Sequence, residues 1–338
     1  TENSETTHRS SLWHTYEVSK ALYCMRMFDN NTQGVKEYIS LMIGKIDECA
    51  RNDDKMNAME LSNSLYGLQK LYIDVDDRNR VEALIESLLT LVQYPAVTQV
   101  ELNQHQAMVD GTNKGTDTNE YFTTINVAMA LYGLRSLSRQ CTQKMPSPIF
   151  LQLLETLAIQ IRISSCVLNG RAFSNALNGL GGMSFEIPQV QMLLRSLIPK
   201  IEASNEEYAP IAIGSALNGF KQMSSKPLEV EHLLNTIAGK IDSSTKIYNE
   251  MTISSSLQGL LNMSDNNTAV RRVLAALTKK IDQYKAHGQP PFSATSLAHC
   301  LAGLRSMSGR YSETAELIRA LSEQFVFNVD IGEGGVSE

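Results

Sequence analysis

One short pattern recurs along this chain and constrains its fold more than any other feature: a small residue, Leu, a variable residue, Gly and a large apolar residue. It reads Ser64-Leu65-Tyr66-Gly67-Leu68, Ala130-Leu131-Tyr132-Gly133-Leu134 and Ala176-Leu177-Asn178-Gly179-Leu180. It continues as Ala216-Leu217-Asn218-Gly219-Phe220, Ser256-Leu257-Gln258-Gly259-Leu260 and Cys300-Leu301-Ala302-Gly303-Leu304, and Ala21-Leu22-Tyr23-Cys24-Met25 is a degenerate first copy. Three residues further on stands an apolar residue at Leu71, Leu137, Met183, Met223, Met263 and Met307. Successive glycines are 66, 46, 40, 40 and 44 residues apart. The unit is therefore about 40 residues, within the range of helical-hairpin repeats. The longest gap holds an insert at 95–120 that includes Asp110-Gly111-Thr112-Asn113-Lys114-Gly115 and reads as a mobile polar loop.

Each glycine motif lies on a first helix, A, and a second helix, B, follows. The B helices carry apolar residues at x, x+3, x+4, x+7 and x+11, one stripe of a helix. Examples are Val35, Tyr38, Ile39, Met42, Ile46; Phe150, Leu153, Leu154, Leu157, Ile161; and Val230, Leu233, Leu234, Ile237, Ile241. The last copy is shorter, with Leu317, Ile318, Leu321 and Phe325. Lys45, Lys200, Lys240 and Lys280 precede the closing isoleucine, where a cation suits the negative end of its own helix. Pro148, Pro188 and Pro227 sit just ahead of B helices, where a missing N–H costs little, and Pro199 sits near a helix end, where a proline can bend it. The pattern predicts an all-α fold, a right-handed α-α solenoid of about seven two-helix repeats of ~40 residues. It forms a single domain over 11–325, between a disordered N-terminal segment at 1–10 and a flexible tail at 326–338.

With the glycine as position 0 and about 100° per residue, positions −6, −2, +1 and +4 of helix A share one apolar arc. Position −3 on that arc is always small. A glycine inside a helix costs about 1 kcal/mol relative to alanine, so its recurrence predicts a neighbouring A helix too close for a side chain. The opposite arc, positions −4, −1 and +3, varies from unit to unit and is rich in amides, hydroxyls and tyrosines. In a solenoid the A helices stack side by side and line one face, so this stripe becomes a ladder. Amides can hydrogen-bond base edges and tyrosines can stack on bases. The candidates for base contact are Tyr23, Tyr66, Tyr132, Asn178, Asn218 and Gln258 at −1, with Asn63, Asn175, Ser215, Ser255 and His299 at −4. Arg26, Arg135, Lys221 and Arg305 at +2 are candidates for phosphate contact. The competing reading of the same stripe is an ordinary solvated helix face.

Composition supports a folded chain: 43% of residues are hydrophobic and 20% charged. No apolar run reaches the ~20 residues that span a bilayer, so no membrane insertion is expected. The chain opens on Thr1, and the natural start, with any targeting segment, is expected upstream. The five cysteines, Cys24, Cys49, Cys141, Cys166 and Cys300, lack the spacing of a disulfide framework or zinc site and read as reduced packing residues. The six histidines show no metal-ligand pair on one helix face. Gly181-Gly182 and Gly334-Gly335 are not phosphate loops, since no strand precedes them and no Lys-Ser/Thr follows. No nucleophile–base set emerges, so no enzyme, metal or cofactor is expected. The net charge of −6 weighs against general polyanion binding but not against a local basic stripe. It also leaves open a protein-binding scaffold, or a structural subunit of a large organellar complex.

The Ala-Leu-Tyr-Gly-Leu core followed by Met or Leu resembles copies in the octotricopeptide-repeat proteins, over roughly residues 12 to 325. Family units carry a Pro-rich, Trp-containing signature, which Pro290-Pro291-Phe292 echoes; Trp13, the single tryptophan, stands outside any such motif. The resemblance implies sequence-specific binding of single-stranded RNA in a chloroplast or mitochondrion, supporting transcript maturation, stability or translation. The variable face of helix A would be the reader.

Overall fold

The computed structural model describes residues 13–28, 32–71, 78–92, 121–137 and 147–325. The segments read from sequence as a disordered start, a mobile insert and a flexible tail lie outside these residues. Within them the regular structure is helical. The A helices are α1 (Thr15–Cys24), α3 (Ala58–Gly67), α5 (Thr124–Gly133), α7 (Gly170–Leu180), α9 (Pro210–Asn218), α11 (Glu250–Gly259) and α13 (Ala294–Gly303). The B helices are α2 (Gln33–Arg51), α4 (Arg78–Leu91), α6 (Pro148–Ile163), α8 (Pro188–Glu202), α10 (Leu228–Asp242), α12 (Thr268–Ala286) and α14 (Ser312–Ser322).

The chain divides into two compact units, Thr1–Glu206 and Glu207–Glu338. In the first, α1, α3, α5 and α7 pack each on the next, and so do α2, α4, α6 and α8. In the second, α9, α11 and α13 form one such row and α10, α12 and α14 the other. Each unit is thus an α-α stack with an A layer and a B layer, as the repeat pattern predicts.

The A helices start at a recurrent cap. At position −10, Asn57, Thr123, Asn169, Asn249 and Ser293 accept the N–H of Glu60, Asn126, Ala172, Thr252 and Ser296. Such a cap satisfies a helix-end donor and is worth about 1 kcal/mol. Position −11 is buried and large, as Met56, Phe122, Leu168, Tyr208, Tyr248 and Phe292. Trp13 occupies this same position in the first copy, so it belongs to the repeat after all.

The A helices end within one residue of the glycine. The N–H at +1 bonds the carbonyl at −2, for example Leu134 to Leu131 at 3.0 Å and Phe220 to Leu217 at 2.8 Å. The N–H at +4 then bonds the carbonyl at +1, as Met223 does to Phe220 at 2.7 Å. These are 3₁₀-type bonds, and the tighter turn swings the +4 side chain into the core. The steady helical step expected beyond position 0 is therefore replaced, yet Leu137, Met183, Met223 and Met263 are still buried.

The glycines make the predicted close contact. A Cβ built on Gly67, Gly179 or Gly259 would lie 1.9 Å from the carbonyl oxygen of Leu22, Leu131 or Leu217. On Gly133 and Gly303 it would lie 2.1 Å from that of Leu65 and Leu257. In each case the oxygen belongs to position −2 of the preceding A helix. The glycine hydrogen points at that oxygen, the arrangement of a Cα–H···O contact. Gly44 and Gly239, on B helices, have nothing within 4 Å of a built Cβ.

The B stripes are buried as read, except that Tyr38 in the first is half-buried and that in the last Leu317 and Leu321 are buried whereas Ile318 and Phe325 are 43% and 44% exposed. The closing lysines differ from expectation. Lys200 Nζ donates to the carbonyl of Ser164, just past α6, and Lys280 Nζ donates to that of Ser244, just past α10. Each therefore serves the negative end of the preceding B helix rather than its own. Burial pushes both ammonium groups below the usual lysine range. Pro199 lies inside α8, which continues to Glu202.

In the second unit a buried carboxylate ties neighbouring repeats together. Asp265 accepts from Ser308 N at 2.9 Å, Gly309 N at 3.1 Å, and the hydroxyls of Ser308 and Thr314 at 3.0 and 3.1 Å. Burial by itself raises its pKa, but the donors from Ser308, Thr314 and Gly309 outweigh it and hold the carboxyl below its ordinary 3.8.

Two outcomes follow for stability. Gly259→Ala should destabilise the second unit by at least about 2 kcal/mol, the cost of forced overpacking, and Gly239→Ala should be neutral or stabilise it by up to ~1 kcal/mol; urea denaturation measures both. A depressed folded-state pKa means that the contribution of Asp265 is complete above 3.8 and lost as pH falls below it. Asp265→Asn should lower stability at neutral pH by about 2 kcal/mol and flatten that acid limb in thermal unfolding followed by circular dichroism.

Candidate functional site

The packing of the A layer decides which side chains remain outward. Positions −6, −2 and +1 face the B layer. Positions −7 and 0 of one A helix meet −5 and −2 of the one before: Asn126 Nδ2 donates to Ser62 Oγ at 2.9 Å, and Gly67 sits on the Leu22 carbonyl. What is left is −8, −4 and −1, spaced so that they share one helix face.

Position +3 does not belong to that face. Ser136 Oγ bonds the carbonyl of Gln69 at 2.6 Å, Asn262 Nδ2 that of Lys221 at 2.9 Å, and Ser306 Oγ that of Leu261 at 2.8 Å. In all three a +3 side chain ties the +2 backbone of the preceding repeat. These residues staple adjacent repeats, which corrects their reading as part of the variable ladder.

The tyrosines at −1 stack on one another. Tyr23 and Tyr66 have ring centroids 5.7 Å apart at 24°, and Tyr66 and Tyr132 are 6.0 Å apart at 32°. The Arg26 guanidinium lies 3.7 Å above the Tyr23 ring and that of Arg135 5.7 Å from the Tyr132 ring, with Arg135 Nη1 donating to the Tyr132 hydroxyl at 3.1 Å. The stack runs Arg26, Tyr23, Tyr66, Tyr132, Arg135. Both faces of Tyr66 are occupied by its neighbours, so these rings present edges and hydroxyls outward rather than open faces for a base.

Two adjoining cavities lie in front of this stack. One, of about 350 Å³, is lined by Tyr23, Met59, Asn63, Thr123, Ile125, Asn126 and Met129. The other, of about 390 Å³, is lined by Tyr23, Tyr66, Ile125, Met129, Arg171 and Asn175 among others. Tyr23 on α1 and Asn175 on α7 line one cavity although two A helices lie between theirs, so the A face of the first unit is concave. Of the sequence-derived candidates, Tyr23, Asn63, Tyr66 and Asn175 are brought together here. Asn178 is half-buried and donates to Ser174 Oγ at 3.5 Å. In the second unit Ser215, Ser255 and Gln258 are half-buried, and Asn218 and His299 are exposed. Lys221 is exposed, and Arg305 Nη2 donates to Asn262 Oδ1 at 3.2 Å.

Position −8 was missed in the sequence. It reads Tyr16, Met59, Ile125, Arg171, Ile211, Met251 and Thr295. Tyr16, Met59, Ile125, Ile211 and Met251 are 45%, 40%, 67%, 71% and 66% exposed. Large apolar side chains so exposed at one repeat position are an informative departure from ordinary burial. The signal was available as a seventh-residue step from −1, but apolar residues there look like core until the packing shows otherwise.

The electrostatics of the A faces are one-sided. Positions −8, −4, −1 and +2 carry Lys20, Arg26, Arg135 and Arg171 in the first unit and Lys221 and Arg305 in the second, and not one Asp or Glu, in a chain of net charge −6. The three carboxylates on the A helices sit in first turns and are engaged. Glu17 accepts from His14 N at 3.0 Å, Glu60 from Asn57 N at 3.0 Å, and Glu250 from Ser293 N at 2.6 Å. Among the described residues no group of three or more His, Cys, Asp or Glu is placed to hold a metal, and no helix is long and apolar enough to cross a membrane. No protein-family model matches the chain, and no curated protein matches it.

The stack and the cavity edge should separate in stability measurements. Tyr66→Ala removes two ring contacts and should destabilise the first unit by roughly 1–3 kcal/mol. Asn63→Ala should stay within about 0.5 kcal/mol of the parent chain, as measured by denaturant titration.

Proposed function

We propose that this chain binds single-stranded RNA along the outward faces of its A helices. The observation that supports it most is the charge partition: six cations and no carboxylate at positions −8, −4, −1 and +2 of a chain whose net charge is −6. An acidic protein that keeps acids off these positions has A faces suited to a polyanion. The amides and hydroxyls at −4 and −1 supply donors and acceptors for base edges. The cations at +2 and at −8 supply phosphate contacts. The likeness to octotricopeptide repeats adds sequence selectivity and an organellar role in transcript maturation, stability or translation. The proposal involves binding only, with no reaction.

A second reading, a protein-binding scaffold, is favoured by the exposed apolar side chains at −8, since aromatic residues, Met and Arg enrich protein interfaces. A pull-down after nuclease treatment separates the two: a partner that survives supports the scaffold.

Binding to a random-sequence RNA pool should weaken steeply with salt. With Arg26, Arg135, Arg171, Lys221 and Arg305 each neutralising one phosphate, the log–log slope should be about −3.5, at roughly 0.7 per phosphate. Arg305→Ala should weaken binding evenly across sequences, and Asn218→Ser should change the preferred base at one position in a selected pool. Absence of binding at low salt refutes the proposal, and an equal loss from both substitutions removes the separation of reader from clamp.

A further inference from the structure

The two cavities of the first unit share a wall. Ile125 at −8 and Met129 at −4 of α5 line both, so this pair forms a ridge with one cavity on either side. Ile125 is 67% exposed and stands out from the helix. Each cavity has a half-buried asparagine from position −4 of another A helix, Asn63 on one side and Asn175 on the other. The second cavity also has Arg171. The two floors share the edge of Tyr23, whose faces are closed by Tyr66 and Arg26.

We propose that these cavities hold two consecutive nucleobases of a bound RNA strand, with Ile125 as the wedge between them. The inference rests on the RNA reading above and adds the subsite. A nucleobase has flat apolar faces and a polar edge. Each cavity offers the complement: an aliphatic side wall and, besides an asparagine engaged at a helix cap (Asn126 or Asn169), an amide at −4 that can both donate and accept. The volumes, about 350 and 390 Å³, are at the lower end of the roughly 300–1,000 Å³ range of pockets for small ligands. An amphipathic helix would use the aliphatic ridge but would leave Asn63, Asn175 and Arg171 facing apolar side chains, at a desolvation cost. The lack of any carboxylate on this face and the presence of Lys20, Arg26 and Arg171 around it fit a strand that carries a phosphate at every base. The asparagines read the edges, the wedge separates the bases, and Arg171 holds the backbone beside the second.

The test uses the full chain and a random-sequence single-stranded RNA library. Sequences selected by the parent chain are then titrated against Ile125→Ala, Arg171→Ala, Asn63→Ser and Asn175→Ser. Ile125→Ala should bind about tenfold more weakly, in the range lost with one base-stacking contact, with an unchanged melting temperature. Arg171→Ala should reduce the salt slope by about 0.7. Asn63→Ser and Asn175→Ser, each used in a fresh selection, should alter the preferred base at two neighbouring positions of the motif. If the parent chain binds and the Ile125→Ala variant binds equally, or if the two serine variants change no position or positions that are not neighbours, the paired-base site is overturned while RNA binding stands. If the parent chain selects nothing, the RNA reading itself fails and this site with it.

Discussion

The arrangement of the A layer depends on a contact that involves no side chain. Within each unit, Gly67, Gly133, Gly179, Gly259 and Gly303 rest on the carbonyl oxygen two residues before the corresponding position of the preceding A helix. A Cβ 1.9–2.1 Å from that oxygen is impossible, so no residue but glycine fits wherever the contact exists. The exception supports the rule. Cys24 takes the glycine position on α1, which no described A helix precedes, and it is exposed. The B helices approach through leucine, isoleucine and valine side chains, and Gly44 and Gly239 among them touch nothing. Backbone contact on one side and side-chain contact on the other make the A layer the narrower of the two, and a stack with one narrow layer bends toward it. The concave A face of the first unit and its two cavities follow from that difference.

The same geometry sorts charge. A carboxylate on an A helix finds a stable place only in the first turn, where backbone N–H groups are unpaired and the helix dipole favours it. Glu17, Glu60 and Glu250 are all there and all engaged. Among the described residues the remaining acids lie on B helices and connecting segments, so the negative net charge of the whole says little about the A faces.

Much of the fold was legible in the sequence because it rests on residue types that admit few alternatives. The recurrent glycine had one economical explanation, close approach, and the 3-4-3-4 spacing of Val, Leu and Ile left only a helix. The site was less legible, because polar residues on a helix have several uses that spacing cannot separate. Asn178 and Ser136 look alike as polar residues of one stripe, yet Ser136 is committed to the Gln69 carbonyl. The tyrosines look like open platforms until their mutual stacking is seen. Lys200 sits in the last turn of its own helix and Lys280 two turns before the end of its helix, but a four-carbon side chain lets both reach the end of the preceding B helix. Ile125 and Met59 look like core because apolar residues usually are. Each ambiguity concerns which partner lies across the repeat boundary, information that a linear frame does not contain.

A stack held by backbone contacts has a consequence for how such a surface can vary. If adjacent A helices were joined by side chains at −4 and −1, each change of reading residue would alter stability as well. Here the contact uses the glycine and a carbonyl, the staple uses +3, and the cap uses −10. Positions −8, −4 and −1 are left with little structural duty, apart from the three tyrosines. Tyr23 and Tyr66, held in the stack by Arg26 and Tyr132, give the cavities a preformed floor, and preorganisation of this kind lowers the ordering cost of binding. Asn63 and Asn175 stand at the edge of that floor, where a change of side chain leaves the stack beneath it as it was, so that under the proposed reading recognition could vary there without a loss of stability.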